Sequence, residues 1–301
     1  MNSEIKKKEY GLNRGNLKMI ALFCMTLDHF AVAIIVPWLR LYDTESLEYA
    51  FLSTTMSALR LIGRLAFPIF CFFIVEGLLH TRSVFKYAVR LFIFAIISEV
   101  PFDMVLKHTF FTVKYQNVFW TMLIGLVAIY ILDGIYGKFK AKAVVKDIVT
   151  VFISALALYT AEVFSTDYGA HGVLTIIVIY LIGKNRYRLV LLLNILVQLI
   201  TFFVDRDFTV LNIVEKSIIL VLSTIVLFIG KMIVIENSRK MFAACVILSA
   251  MNLSEVSAFA NVYLMQIYNG QKGRNIRWLF YLFYPLHLAA LAGLCMLVGL
   301  Y

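Results

Sequence analysis

The sequence predicts an all-α, polytopic integral membrane bundle of about ten transmembrane helices, and three observations carry that prediction. Hydrophobic residues make up 62% of the 301-residue chain, and the mean hydropathy of +0.87 is far above that of a soluble domain. Apolar stretches long enough to cross a bilayer recur from end to end. Between them lie short loops that are basic and acidic in turn. No low-complexity linker interrupts the pattern, so residues 1–301 read as one integral membrane domain.

The spans follow in order. The first, 17–38, comes after a basic segment holding Lys6, Lys7, Lys8, Arg14 and Lys18 that lacks a small-residue cleavage site, so no removable signal peptide is expected. The second and third, 58–79 and 86–106, meet at Arg82, Lys86 and Arg90. The fourth and fifth, 117–136 and 147–166, flank Lys138, Lys140, Lys142 and Lys146. The sixth and seventh, 169–184 and 188–204, flank Lys184, Arg186 and Arg188; they are short for a bilayer core, which suggests tilt or local thinning. The eighth and ninth, 214–235 and 241–268, flank Lys231, Arg239 and Lys240, and the last is 278–300.

A cytoplasmic N-terminus places those basic loops inside. It places Asp43/Glu45/Glu48, Asp103, Glu162/Asp167 and Asp205/Asp207 outside. One loop breaks the rule, because Lys272, Arg274 and Arg277 fall outside if 241–268 is a single span. Either that basic loop is external, or 241–268 breaks near Asn252-Leu-Ser254-Glu255 and crosses twice, giving eleven spans, two of them very short helices, in place of the preferred ten. The net charge of +10 is explained by the loops and calls for no nucleic acid. Cys24, Cys71, Cys245 and Cys295 all lie in apolar runs without ligand-like spacing, so neither a disulfide framework nor a metal site is expected.

Ionisable residues within the spans point to function. Asp28 and His29 sit together in the middle of the first apolar run, where a carboxylate costs about 2.5–3.5 kcal/mol on insertion scales. Arg60 and Arg64 are four apart and share a face of the second helix, with Glu76 further along it. Glu99 and Asp103 flank Pro101 at the outer end of the third. Such groups pair with one another or line a wet cavity. A purely structural ion-pair cluster of Arg60, Arg64, Glu99 and Asp103 is one complete account of those four. Pro68, Pro101 and Pro285 lie in these same segments, and proline within a span frees a carbonyl and bends the axis. His287, in Phe280-Tyr-Leu-Phe-Tyr284-Pro285-Leu-His287, is a second histidine in an apolar run. An unperturbed imidazole titrates near neutrality and suits proton transfer. His171 lies at an interface, while His80 and His108 read as loop residues. The chain carries no Gly-rich phosphate loop, Gly-x-Ser-x-Gly or His-Glu-x-x-His.

Several segments resemble the TraX family, named for the membrane protein that N-acetylates conjugative F-pilin. They are Leu17-Lys-Met-Ile-Ala-Leu…Thr26-Leu-Asp28-His29, Leu59-Arg60-Leu-Ile-Gly63-Arg64-Leu-Ala-Phe67-Pro68-Ile-Phe70 and Glu76-Gly77…His80-Thr-Arg82. The resemblance continues through Ser98-Glu99-Val-Pro101-Phe102-Asp103, Asn117-Val-Phe and Asp167-Tyr168-Gly169…Gly172-Val173-Leu174. It ends with Tyr268-Asn269-Gly270-Gln-Lys272-Gly273 and Phe-Tyr-Pro285-Leu-His287, leaving out only 186–250. TraX proteins are in turn distantly similar to membrane acyltransferases of surface sugars, which carry a basic residue ten positions before a histidine in the first span. Here Lys18-x10-His29 has that spacing, with Lys where Arg is usual.

The resemblance implies a bacterial cytoplasmic-membrane acetyltransferase. It moves an acetyl group from cytosolic acetyl-CoA to an acceptor, a peptide or pilin-like N-terminal amine being favoured and a sugar remaining possible. An amine or hydroxyl needs a base, and His29 is the candidate, with Asp28 orienting it or meeting Arg60 or Arg64 instead. An acetyl-histidine intermediate is the other route. Arg64, Tyr284 and His287 are candidates for stabilising the oxyanion or protonating the leaving thiolate, with Glu76 and Glu99 as alternative acids or bases. Lys18, Arg60, Arg82 and Tyr284 are candidate donor-binding residues, and Lys18 lies about 16 Å from His29 along a helix. The rival expectation is a proton-coupled transporter or flippase using Asp28, His29, Glu76 and Glu99, although no internal repeat is visible. A scaffold protein of a secretion apparatus is a third.

Overall fold

A computed structural model describes residues 11–138, 140–205, 267–274 and 277–300, with the isolated positions 214, 217 and 264. Nearly all of the expected spans 214–235 and 241–268, with Cys245, Glu255, Asp207 and the Lys231/Arg239/Lys240 loop, lie outside the described residues. Among the described residues the regular elements are helices: α1 Arg14–Leu39, α2 Leu47–Gly63, α3 Ala66–His80, α4 Val84–Lys107, α5 Val118–Gly137, α6 Ala143–Val163, α7 Gly169–Gly183, α8 Tyr187–Asp205 and α9 Arg277–Leu297. The described residues contain two isolated β-bridges, Leu12 with Tyr268 and Gln116 with Thr166. Among the described residues, five helical runs are long and apolar enough to cross a membrane: Arg14–Leu39, Leu47–His80, Val118–Gly137, Ala143–Val163 and Trp278–Leu297. The chain is therefore a multi-pass membrane protein.

The second expected span needs correction. The helical run begins at Leu47, where the Ser46 hydroxyl accepts the Tyr49 N–H at 3.1 Å and Glu48 sits favourably in the first turn. Its 34 residues would make one helix about 51 Å long, against a hydrocarbon core of about 30 Å. Instead the run breaks at Arg64–Leu65. The cause is Pro68, which has no N–H to give the Arg64 carbonyl four residues back and whose ring would collide with it. Arg64 therefore caps α2, and Arg60 and Arg64 do not share a continuous helix with Glu76. Pro68 stands in the first turn of α3, where its missing N–H would be unbonded anyway.

The chain divides into two compact units, 1–70 with 96–113 and 263–301, and 71–95 with 114–262. In the first unit α1 packs on α2 and on α9. The Asn13 side chain caps α1 by accepting the Asn16 N–H at 2.9 Å. Just after His29-Phe30, α1 widens into a π-helical turn over Ala31–Ile35. Pro37 then supplies no N–H to the Ala33 carbonyl, and the Cys295 thiol of α9 donates to that oxygen at 3.3 Å. Lys18 meets Phe280, His29 meets His287 and Ala33 meets Cys295, so α1 and α9 run parallel.

In the second unit α5, α6 and α8 all pack on α7, whose residues Gly172 to Ile182 are buried on every side. Its 15 residues span about 22 Å, and complete enclosure by protein explains how so short and uniformly apolar a helix is stable. Polar groups gather at its ends. At the start, Glu162 Oε2 accepts the Ala170 N–H at 2.8 Å, the Tyr115 hydroxyl donates to Asp167 at 2.9 Å and the Thr121 hydroxyl donates to the Asp167 carbonyl. At the finish, Asp133 accepts from the Tyr180 hydroxyl at 2.8 Å and pairs with Lys184 at 3.0 Å. Asn117 caps α5 through the Phe119 N–H at 3.0 Å and ties it to the Ala95 carbonyl at 2.8 Å.

Candidate functional site

The site is assembled in the first unit from α1, α2 and α9. Consecutive residues on a helix project about 100° apart, so Asp28 and His29 serve two different neighbours. Asp28 faces α2, where its Oδ2 pairs with Arg60 Nη1 at 3.4 Å. Their side chains retain 15% and 32% exposure, so the pair is not sealed within the protein. Asp28 Oδ1 is buried and has no hydrogen-bond partner among the described residues. The approach of the two helices depends on Gly63, where an added Cβ would stand 2.7 Å from that same Oδ1.

His29 faces α9. Its Nδ1 lies 2.7 Å from His287 Nε2, both rings are buried, and their planes are within 16° of parallel with centroids 5.0 Å apart, so the rings meet edge to edge. Buried Tyr284 packs edge-on against both, at 5.8 Å from His29 and 5.6 Å from His287. The neighbours assign the protons. A backbone carbonyl can only accept, and His287 Nδ1 lies 2.7 Å from the Phe283 carbonyl, so that nitrogen carries hydrogen. In the neutral ring Nε2 then accepts, and the hydrogen on the short contact comes from His29 Nδ1. His29 Nε2 is left as a lone pair, held in orientation by a partner that accepts from its other nitrogen. A carboxylate commonly plays that part beside a catalytic histidine; here a second histidine does.

The remaining expected residues are distributed as follows. Lys18 Nζ lies 4.5 Å above the Phe280 ring, toward the start of both parallel helices. Glu99 belongs to the first unit and is buried in α4. Asp103, one turn on, accepts the Thr112 N–H at 2.7 Å and so closes the turn that ends α4, a local structural use. Glu76 and Arg82 belong to the second unit; the Glu76 carbonyl accepts from His80 Nδ1 at 2.8 Å, and Arg82 is exposed in the turn after α3. The geometry adds Gly63, which the sequence offered only as part of a family-like motif, and Cys295, which it offered only as a residue of an apolar run. The signal for Cys295 was Pro37, since a proline in a span frees a carbonyl that some donor must meet.

Two irregularities converge here. The π-turn directly follows His29, and the α2–α3 break stands beside Gly63 and so beside Asp28. Irregular backbone at membrane depth persists only where protein or a polar cavity satisfies it, and π-turns are frequent at functional sites.

The chain matches the family model described as "TraX protein" over residues 13–244 and 216–295. It is 26% identical over 288 residues to the "Probable fimbrial assembly protein FimC, serogroup H1" of Dichelobacter nodosus, covering 92% of this chain and 93% of that protein. No solved structure matches the chain.

Proposed function

The chain belongs to the TraX family, and from that premise we propose that it is an acetyltransferase of the bacterial cytoplasmic membrane, with its N-terminus in the cytoplasm. It moves an acetyl group from acetyl-CoA to the N-terminal amine of a pilin-like peptide. The observation that carries this reading is the His29–His287 pair, because it leaves one basic nitrogen oriented inside an apolar unit. Similarity to a fimbrial assembly protein supports a pilin-like acceptor over a sugar.

The chemistry assigned to the site balances as follows. The acceptor nitrogen attacks the thioester carbonyl carbon and forms a C–N bond, while His29 Nε2 takes its proton. The resulting imidazolium is stabilised through Nδ1 by His287. Collapse of the tetrahedral intermediate breaks the C–S bond, and the departing thiolate recovers the proton from His29. Tyr284 packs against both rings and is the nearest candidate donor to the developing oxyanion. Asp28–Arg60 holds α2 against α1 and so keeps His29 facing α9.

The test is acceptor-dependent thiol release from acetyl-CoA by purified protein. His29→Ala lowers the rate by about 10²–10⁴-fold in protein that still folds, and a peptide with a blocked N-terminus accepts nothing. Wild-type turnover by a folded His29→Ala protein would end this reading. The break between α2 and α3 favours a second one, a proton-coupled transporter, since discontinuous helices border many transport sites. Substrate-driven proton uptake into vesicles without acetyl-CoA would establish that alternative.

A further inference from the structure

We propose that the loop Gln271–Arg274 shares a membrane face with the start of α1, and that its Lys272 and Arg274 hold the phosphates of the acyl donor. The second half rests on the acetyl-CoA reading; the first stands without it.

The backbone ties the two segments together. The Leu12 N–H donates to the Ile267 carbonyl at 2.8 Å, the Asn269 N–H to Leu12 at 3.0 Å and the Arg14 N–H to Gln271 at 2.8 Å. The fit is close. A Cβ at Gly15 would stand 3.4 Å from the Arg274 backbone, and at Gly273, with φ +60°, one would collide with the Asn13 side chain. A loop bonded to the residues from which α1 departs lies on the face from which α1 departs. The parallel course of α1 and α9, fixed at three successive levels, says the same independently.

Two helices that cross in the same direction are separated by an odd number of crossings. The ten-span reading separates them by an even number and strands Lys272 and Arg274 on the far face. An odd total returns them to the face of Arg14 and Lys18, and the basic loops then agree with one another.

That placement gives the loop a use. Lys272 and Arg274 are exposed. Lys18 lies one turn deeper than Gly15 and reaches Phe280, and His29 lies about 16 Å beyond it along the helix. A guanidinium grips phosphate bidentately and an ammonium adds a point charge. Cations at the face and a basic nitrogen within suit a donor with phosphates at one end and a thioester at the other.

Binding of CoA and of pantetheine, which lacks the nucleotide, tests the assignment on purified protein in phosphatidylcholine nanodiscs. In the Lys272→Gln/Arg274→Gln double variant the Kd for CoA rises about tenfold or more, while that for pantetheine is unchanged. An unchanged CoA affinity, equal weakening of both ligands, or an effect appearing only with phosphatidylglycerol present would overturn it. Protein that binds CoA through these residues but transfers no acetyl group would count against the acetyltransferase reading alone. The shared face has its own readout, an impermeant maleimide applied to one side of vesicles in a Cys245→Ser background. Gln271→Cys labels together with Asn2→Cys; labelling together with Glu45→Cys, in the loop that follows α1, would overturn it.

Discussion

The first unit is built from interrupted helices and the second, over α5–α8, from regular ones. In the first, α1 widens at Ala31–Ile35, the α2–α3 run breaks at Arg64–Leu65 and α9 carries Pro285 inside it. In the second, α7 is a plain aliphatic rod with its polar contacts at the ends. Within a bilayer an unsatisfied backbone group costs several kcal/mol, so an interruption survives only where something answers it. Cys295 answers Ala33. The contrast teaches that interruptions, more than charges alone, locate a site in such a protein: charged pairs occur in both units, but Asp28, His29 and His287 stand beside broken backbone.

The sharpest way to break that comparison is to remove a polar ring from each unit. His287→Leu takes away the acceptor that orients His29, so kcat falls by about 10²-fold; His287→Gln, which still offers an oxygen, recovers part of it. Tyr180→Phe in α7 removes a hydrogen bond to Asp133 of similar length, 2.8 Å against 2.7 Å. It lowers stability by about 1 kcal/mol and leaves kcat within about twofold. Equal effects on kcat from the two changes would erase the distinction between site and scaffold.

A core truncation comes next. Leu174 is fully buried in α7, and Leu174→Ala leaves a cavity. Protein in lipid gains little from apolar burial itself, so the loss is mainly packing and falls at the low end of about 2–5 kcal/mol. Thermal unfolding in detergent reads it, and activity per folded molecule stays at the wild-type level.

Much of this was legible in the sequence and some was not, for identifiable reasons. Long apolar runs announce helices, so α1, α4, α5, α7 and α9 appear close to where hydropathy puts them. The Asp28–Arg60 pairing was one of the options open from the sequence, because an intramembrane carboxylate seeks a cation. The α2–α3 break was missed because hydropathy is blind to backbone hydrogen bonds; Pro68 and Gly63 together carried the signal. The His29–His287 contact joins residues 258 apart, and no periodicity encodes such a distance. Asp103 stood out as an ionisable residue within a span, yet it closes a turn, while Asn117 and Asp167, which the sequence offered only in a family-like motif and an outer loop, respectively cap a helix and accept from Tyr115.

Glycines extend the comparison, and there the two units give opposite signs. Gly63 ends α2 against Asp28, and an alanine methyl would press into the Asp28 side chain and approach its Cα to 2.9 Å. Backbone cannot yield as a flexible side-chain tip does, so α2 must shift. Gly63→Ala then destabilises by about 1–3 kcal/mol, and it lowers kcat as well because the Asp28–Arg60 contact opens. Among the described residues, nothing lies within 4 Å of where a Cβ would be built on Gly134 in α5. Gly134→Ala therefore only restricts the unfolded chain and favours the helix, a gain of about 0.5–1 kcal/mol with kcat unchanged. The same chemical change thus destabilises where two helices must touch to hold a half-buried carboxylate and stabilises where a Cβ meets open space. Thermal unfolding and kcat measured on both variants separate a glycine required by the site from one merely tolerated by the scaffold.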